Sequence, residues 1–180
     1  MTLPQQAFDF LRSERGSLLL EDVRCWAKWY SGSDYQIPTN DVERQLSSLF
    51  GFFPEFRSLL DYRATGTPLR GVLRDQLPRA TDLNINVGQI GPRCRIQHGH
   101  GTYLFAREIG SDFFVGHLVT VGAHRGIPKI GNNVTVRTGA VVVGPIEIGN
   151  DCVITAHAVV SKSMPDGFKA YPPKTVFEPK

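Results

Sequence analysis

From residue 90 to residue 160 an aliphatic residue returns at every sixth position, most often with a small or polar residue close behind it. The stretch reads IGPRCR, IQHGHG, IGSDFF, VGHLVT and VGAHRG. After a short break it continues IGNNVT, VRTGAV, VVGPIE, IGNDCV and ITAHAV, and closes on Val160. A period of six fits neither the turn of an amphipathic helix, about 3.6 residues, nor the two-residue alternation of an ordinary sheet. It fits a triangular β-helix, in which each hexapeptide supplies one short strand and one corner, and three hexapeptides close a coil that stacks on the next. With Ile90, Ile96 and Tyr103 as the first coil, the register predicts Ile109, Val115 and Val121, then Ile130, Val136 and Val142, then Ile148, Ile154 and Val160, four coils in all. One extra residue between Ile96 and Ile109, and three between Val121 and Ile130, mark departures; the second is an external loop, AHRGIPK. Loops thrown out of a rigid scaffold concentrate functional residues. Gly and Asn are expected at the corners, and Asn132, exposed at one of them, is expected to tolerate aspartate.

The first 80 residues carry a different period. Residues 4–15 predict a helix with Pro4 in its opening turn and Gly16 at its end. Ser17 is the expected cap of a second helix, on which Leu19, Val23, Trp26 and Tyr30 share one face. Thr39 or Asn40 is expected to cap a third, carrying Val42, Leu46, Leu49 and Phe50, and Pro54 interrupts before a fourth in EFRSLLDYRATG. A last piece, TPLRGVLRDQL, opens at Thr67 and Pro68 and sets Leu69, Val72, Leu73 and Leu77 against Arg70 and Arg74. Its stripe is expected to pack on the β-helix, a membrane surface being the other use. The fold class is α+β: a helical domain over residues 1–80, a parallel β-helix over 81–163 whose end the helices cover, and an extended, proline-rich tail over 164–180.

Twenty basic and 17 acidic residues are nearly balanced and leave no basic stripe, which sets a nucleic-acid partner aside. Cys25, Cys94 and Cys152 are odd in number and far apart, and the last two fall at inward repeat positions, as buried thiols in a reducing compartment do. The opening residues lack a basic region followed by an apolar run, and no apolar stretch approaches bilayer length. A cytoplasmic protein without a membrane segment is therefore expected. Flat prism faces favour burial in a closed cyclic assembly, so the expected partner is a second and third copy, a homotrimer.

IQHGHGTYL, followed by EIGSDFFVGHLVTVG and by PKIGNNVTVRTGAVVVGPIEIGNDCVITAHAVVSKSMPDG, resembles the left-handed β-helix acyltransferases, and within them the serine acetyltransferase group. The resemblance covers residues 83–167. FRSLLDYR and LRGVLRDQLP, ahead of the coils, resemble the capsular and cell-surface polysaccharide O-acetyltransferases of that group. It implies a left-handed coil, acetyl-CoA as co-substrate in a groove between two prisms, and a catalytic histidine at the position of His98. The carboxylate partner of that histidine falls in DLNINVG, nearest Asn84, with Asp82 two residues earlier. The family's second functional histidine falls at Ile127, in a loop several residues shorter, which favours a sugar hydroxyl over free serine as acceptor. Along the coenzyme groove the matching small residues are Gly122, Gly139 and Ala156, and Lys162 stands where it can meet a coenzyme phosphate.

Acetyl transfer from a thioester to an alcohol needs a base that takes the hydroxyl proton as oxygen attacks, and histidine, with a reference pKa of about 6.5, suits that task near neutrality. His98 is the expected base, with Gly99 and Gly101 leaving room for a ligand near the backbone. His117 occupies the same place one coil on, about 5 Å away at the backbone, and is a candidate contact to the acceptor or the developing oxyanion. His100 and His124, at bends, are candidate acceptor contacts; His157 is read as a corner residue or part of the coenzyme groove. The leading expectation is thus an acetyl-CoA-dependent O-acetyltransferase of a sugar or polysaccharide precursor, with no metal. The alternatives are a serine O-acetyltransferase, a γ-carbonic-anhydrase-like zinc protein using His98, His117 and His124 across a subunit boundary, and a non-catalytic scaffold.

Overall fold

The computed structural model of the chain describes residues 3–76 and 78–173. Five α-helices come first: α1 (Gln5–Arg12), α2 (Ser17–Trp29), α3 (Val42–Phe52), α4 (Pro54–Arg63) and α5 (Leu69–Arg74). Ser17 begins α2 instead of capping it. The capping hydroxyl is that of Ser13, which accepts from the Gly16 amide at 3.2 Å in a short 3-10 turn between α1 and α2. At α3 the cap is Asp41, not Thr39 or Asn40; its carboxylate accepts from the amides of Glu43 at 3.1 Å and Arg44 at 3.0 Å, and its charge suits a helix N-terminus. Pro54 is the first residue of α4, where no amide donor is needed. α5 buries Leu69 and Leu73 with α1 and α4 as its main neighbours, because Arg70 and Arg74 turn toward Asp61 of α4. Its expected seat on the β-helix is held by α4 and α2; Leu77 lies outside the described residues.

Twelve strands follow: β1 (Leu83–Ile90), β2 (Arg95–Ile96), β3 (Thr102–Ile109), β4 (Phe114–Val115), β5 (Thr120–Gly122), β6 (Lys129–Ile130), β7 (Thr135–Val136), β8 (Val141–Val143), β9 (Glu147–Ile148), β10 (Val153–Ile154), β11 (Val159–Val160) and β12 (Lys169–Ala170). Every pairing is parallel, and the inward residues stack in three columns. The first face carries Ile90, Ile109, Ile130, Ile148 and Met164. The second carries Ile96, Val115, Val136, Ile154 and Ala170. The third carries Ile85, Leu104, Val121, Val142 and Val160. The prism therefore has five rungs on each face where four coils were expected. β1 supplies an additional opening rung, and the ladder runs on past residue 163 to Met164 and Ala170. Of the predicted tail, residues 174–180 lie outside the described residues. The inward residue of the first coil is Leu104, fully buried, while Tyr103 is 42% exposed. That places two extra residues at 98–101 and removes one before Ile109, where β3 runs straight from the third face into the first.

The corners are turned less by glycine than by Arg93, His98, Asp112, Leu118, Arg125, Asn133, Asp151 and His157, all left-handed with φ between 52° and 64°. At the edge between the first and second faces, polar side chains form a ladder. Asn132 Oδ1 accepts from the Ser111 amide at 2.9 Å, Asn132 Nδ2 donates to Asn150 Oδ1 at 3.1 Å, and Asn150 Nδ2 donates to Asp166 Oδ2 at 3.2 Å.

The helices close the open end of the prism. Trp26, fully buried on α2, donates its indole N–H to the Cys94 carbonyl at 2.7 Å. Beside it, Asp22 takes the Cys94 amide at 2.9 Å and Arg63 Nε at 2.8 Å, and Arg63 also donates to the carbonyls of Ile90 and Gly91. Burial outweighs the arginine and the amide and pushes the Asp22 carboxyl up to about 6. Among outward-facing residues the first face is charged, with Gln89, Glu108, Lys129 and Glu147 in line. On the second, Phe114 is covered by Trp29, their rings 5.8 Å apart. The third presents Tyr103, Thr120, Val141 and Val159, with Val159 64% exposed. No helix among the described residues is long and apolar enough to cross a membrane.

Candidate functional site

The edge between the second and third faces gathers most of the candidate residues. Each strand of the second face ends on its inward aliphatic residue, and two residues later come His98, His117, Thr138 and Ala156; because the first corner holds two extra residues, the backbone ladder sets His100 in line with His117, the Leu118 amide on the His100 carbonyl as the Gly139 amide is on that of His117. The rings of His98 and His117 lie 6.3 Å apart, edge to face, and Thr138 Oγ1 is 3.5 Å from His117 Nδ1. Thr138 was not among the residues singled out in the sequence, although its place two residues after an inward aliphatic residue points to it. In the next column stand Gly101, Leu118, Gly139 and His157, all with positive φ. Leu118 holds that conformation while 57% exposed. A leucine in left-handed backbone, bare to solvent directly after His117, marks local backbone strain beside the histidine pair.

The two extra residues make the first corner a compact knot. The His100 amide donates to the His98 carbonyl at 2.6 Å, the Thr102 amide to the Gly99 carbonyl at 3.1 Å, and the fully buried Thr102 hydroxyl to the Gly116 carbonyl of the next coil at 3.0 Å. Gly99 and Gly101 do not leave open space here. A Cβ on Gly99 would lie 3.1 Å from Glu55 Cγ and from Leu83 Cδ2, and one on Gly101 would lie 2.8 Å from Leu118 Cδ2. The room at Gly139 is likewise filled, by the His157 ring 2.4 Å from where a Cβ would stand. These glycines admit the protein's own side chains rather than a ligand.

The carboxylate partner is also placed differently from the expectation. Asp82 Oδ2 accepts from the Gly101 amide at 3.0 Å and faces His100 Nδ1 at 3.5 Å, so Asp82 serves His100 and the knot, not His98. Slight desolvation, which raises its pKa, is outweighed by the Gly101 amide, its own amide and His100, which together hold the carboxyl below the usual carboxylate range. Asn84 is exposed on β1 opposite Tyr103, and among the described residues its side chain makes no hydrogen bond.

The remaining candidates lie on the edge between the third and first faces. His124 and Ile127 sit in the loop between β5 and β6, where the His124 amide donates to the Gly126 carbonyl at 3.1 Å. Gly122 ends β5 opposite Val143, and Lys162 is exposed between β11 and Met164. His124 is thus not brought beside His98 and His117 within one chain. Among the described residues no group of three or more His, Cys, Asp or Glu side chains is arranged to hold a metal ion. The expected coenzyme residues divide between two edges, Gly139 and Ala156 on one and Gly122 and Lys162 on the other, with the apolar third face between them.

Comparison with known proteins bears on this geometry. The family model described as Bacterial transferase hexapeptide (six repeats) matches residues 127–162. The serine acetyltransferase of Mycobacterium tuberculosis (strain ATCC 25618 / H37Rv) is 38% identical over 92 residues, covering 47% of this chain and 40% of that protein. That of Helicobacter pylori (strain ATCC 700392 / 26695) is 38% identical over 97 residues, covering 50% of this chain and 57% of that protein. The chain therefore spans about half the length of these relatives, 40% and 57%. Bifunctional protein GlmU of Gloeothece citriformis (strain PCC 7424) is 31% identical over 88 residues, 19% of its length. Among solved structures, serine acetyltransferase from Neisseria gonorrhoeae superposes with a TM-score of 0.63 at 20% identity, covering 97% of this chain and 70% of that one. At that identity the likeness concerns the fold, helices followed by a left-handed β-helix, and it takes in the helical part as well as the coils. GlmU apart, the relatives named here are serine acetyltransferases rather than the polysaccharide O-acetyltransferases that the segments ahead of the coils suggested.

Proposed function

We propose that the protein is an acetyl-CoA-dependent O-acetyltransferase in which His98 takes the proton of the acceptor hydroxyl. The observation that carries the reading is the His98–His117 pair, His98 exposed and His117 half-buried, their rings 6.3 Å apart on one edge of a prism bearing the transferase hexapeptide repeat. As the acceptor oxygen attacks the thioester carbonyl, the base takes its proton. When the carbon–sulfur bond breaks, the imidazolium returns a proton to the departing thiolate. His117, held toward Thr138, stands one coil away as a donor for charge developing on the carbonyl oxygen. The named relatives make the hydroxyl of serine the first acceptor to test. A second reading, a larger sugar acceptor, is favoured by one observation: Ile127, in the short loop between β5 and β6, carries no donor or acceptor where the resemblance places a histidine.

The experiment is free-thiol release from acetyl-CoA with serine and with a panel of sugars and sugar phosphates. Release that depends on an added acceptor and falls in His98→Ala is the expected result; release with no acceptor and no histidine dependence would sink the reading.

A further inference from the structure

Asp61, on α4, is 3% exposed and gathers three guanidinium groups: Arg70 Nη2 at 3.0 Å, Arg74 Nε at 2.8 Å and Arg79 Nη1 at 3.0 Å. Three positive charges on one negative leave two uncompensated, and among the described residues no other carboxylate lies within ion-pair distance of these arginines. Their side chains are 34%, 45% and 44% exposed, so the excess charge faces outward. The buried carboxylate takes Nε of both Arg70 and Arg74, which fixes the planes of those forks before any ligand arrives. A groove of about 390 Å³ runs from Arg74 and Arg79 past Thr81 to Asn84. Its Leu83 end adjoins the corner that carries His98, because Leu83 pairs with Thr102 and the neighbouring Asp82 holds the Gly101 amide.

We propose that this groove binds the phosphate or pyrophosphate of a phosphorylated acetyl acceptor, with Arg74 and Arg79 as its donors, so that the acceptor's hydroxyl reaches the edge at His98. The inference rests on the second reading above, a sugar acceptor. Planar guanidinium forks match phosphate oxygens two at a time, and the strand leading from groove to knot gives an extended acceptor a continuous path.

The test uses the full chain, with inorganic pyrophosphate and glucose 1-phosphate as probes in titration calorimetry, and acetyl-CoA and phosphatidylglycerol vesicles as separate arms. Both probes are expected to bind, and to weaken by about 10-fold or more in Arg74→Gln/Arg79→Gln, while acetyl-CoA affinity stays the same. Unchanged affinity in the variant, no saturable binding, or binding to vesicles alone overturns the proposal. So does acetyl-CoA weakening in step with pyrophosphate, which would give the groove to the coenzyme. Should the double variant fail to fold, phenylglyoxal labelling of the wild type decides: pyrophosphate must slow modification of Arg74 and Arg79 but not of the exposed Arg137, and lack of selective protection refutes the site. Steady-state kinetics separate this from the transfer reading. If phosphorylated and unphosphorylated acceptors share one KM, the acceptor assignment falls and acetyl transfer stands; if no acceptor releases thiol, both fall even where pyrophosphate binds.

Discussion

His98 and His100 are two residues apart, yet the fold gives them different work. His98 bulges from the corner with its ring 6.3 Å from that of His117, whereas His100 continues the backbone ladder, its carbonyl taking the Leu118 amide, and is tied through Asp82 to the Gly101 amide. His98→Ala should therefore lower turnover by about 10²-fold to 10⁴-fold with the melting temperature unchanged. Asp82→Ala, which frees the Gly101 amide, should act mainly through acceptor KM, and Asp82→Asn, which keeps an acceptor oxygen there, should restore most of it. Equal losses of kcat in His98→Ala and Asp82→Asn would join the carboxylate to the proton transfer after all. The histidine pair was legible because each ring stands two residues after an inward aliphatic residue, Ile96 or Val115, whichever residues of the first corner are the inserted ones. The carboxylate's partner was not, because it depends on which side of Tyr103 the inserted residues fall, and the repeat alone does not say.

At the scale of elements, the helices and the prism are joined by a few buried polar contacts beneath a large apolar surface. Asp22 and Arg63 are almost fully enclosed where α2 and α4 meet the first coil, and removing one partner strands the other. Asp22→Ala should destabilise the fold by about 3–5 kcal/mol in thermal or urea unfolding. Asp22→Asn should cost less, since burial already favours the neutral carboxyl there. Asp61 behaves oppositely. Burial, which raises its pKa, is outweighed by hydrogen bonds from Arg74 and Arg70, and the folded carboxyl sits below its ordinary range. Its contribution to stability is complete above the unfolded value of about 3.9 and is lost as pH falls through the lower folded one, so Asp61→Asn should flatten the acid limb of a stability–pH curve below about pH 4. Helix existence was legible from apolar spacing. The caps were less so, because Asp41 prevails over the neighbouring Thr39 and Asn40 through charge and local geometry, which a list of capping residues does not weigh. α5 went to the helices because two of the arginines around Asp61, Arg70 and Arg74, attach it there, a pairing across the turn between α4 and α5 that no single-helix pattern contains.

For the whole molecule the third face is decisive. Tyr103, Thr120, Val141 and Val159 form an outward column lying between the two edges that carry candidate residues. A face of this kind, flanked by functional edges, supports the proposed homotrimer, in which each coenzyme groove would be walled by two copies. Light scattering at micromolar concentration should give three chains for the wild type and fewer for Val141→Glu/Val159→Glu, with acetyl transfer falling in parallel; a monomeric wild type with full activity would refute the arrangement.

The ladder of Ser111, Asn132, Asn150 and Asp166 gives one edge of the prism a polarity, donor to acceptor, that runs from coil to coil. Each asparagine both accepts from one neighbour and hands a hydrogen to the next, so exposure at the surface does not make Asn132 indifferent to replacement, as its position in the sequence suggested. Asn132→Asp would turn a donor into an acceptor and set its carboxylate against Asn150 Oδ1, and Asn150→Asp would oppose two carboxylates at Asp166. Either change should thus lower the melting temperature by loosening this one edge while the apolar columns inside stay in register.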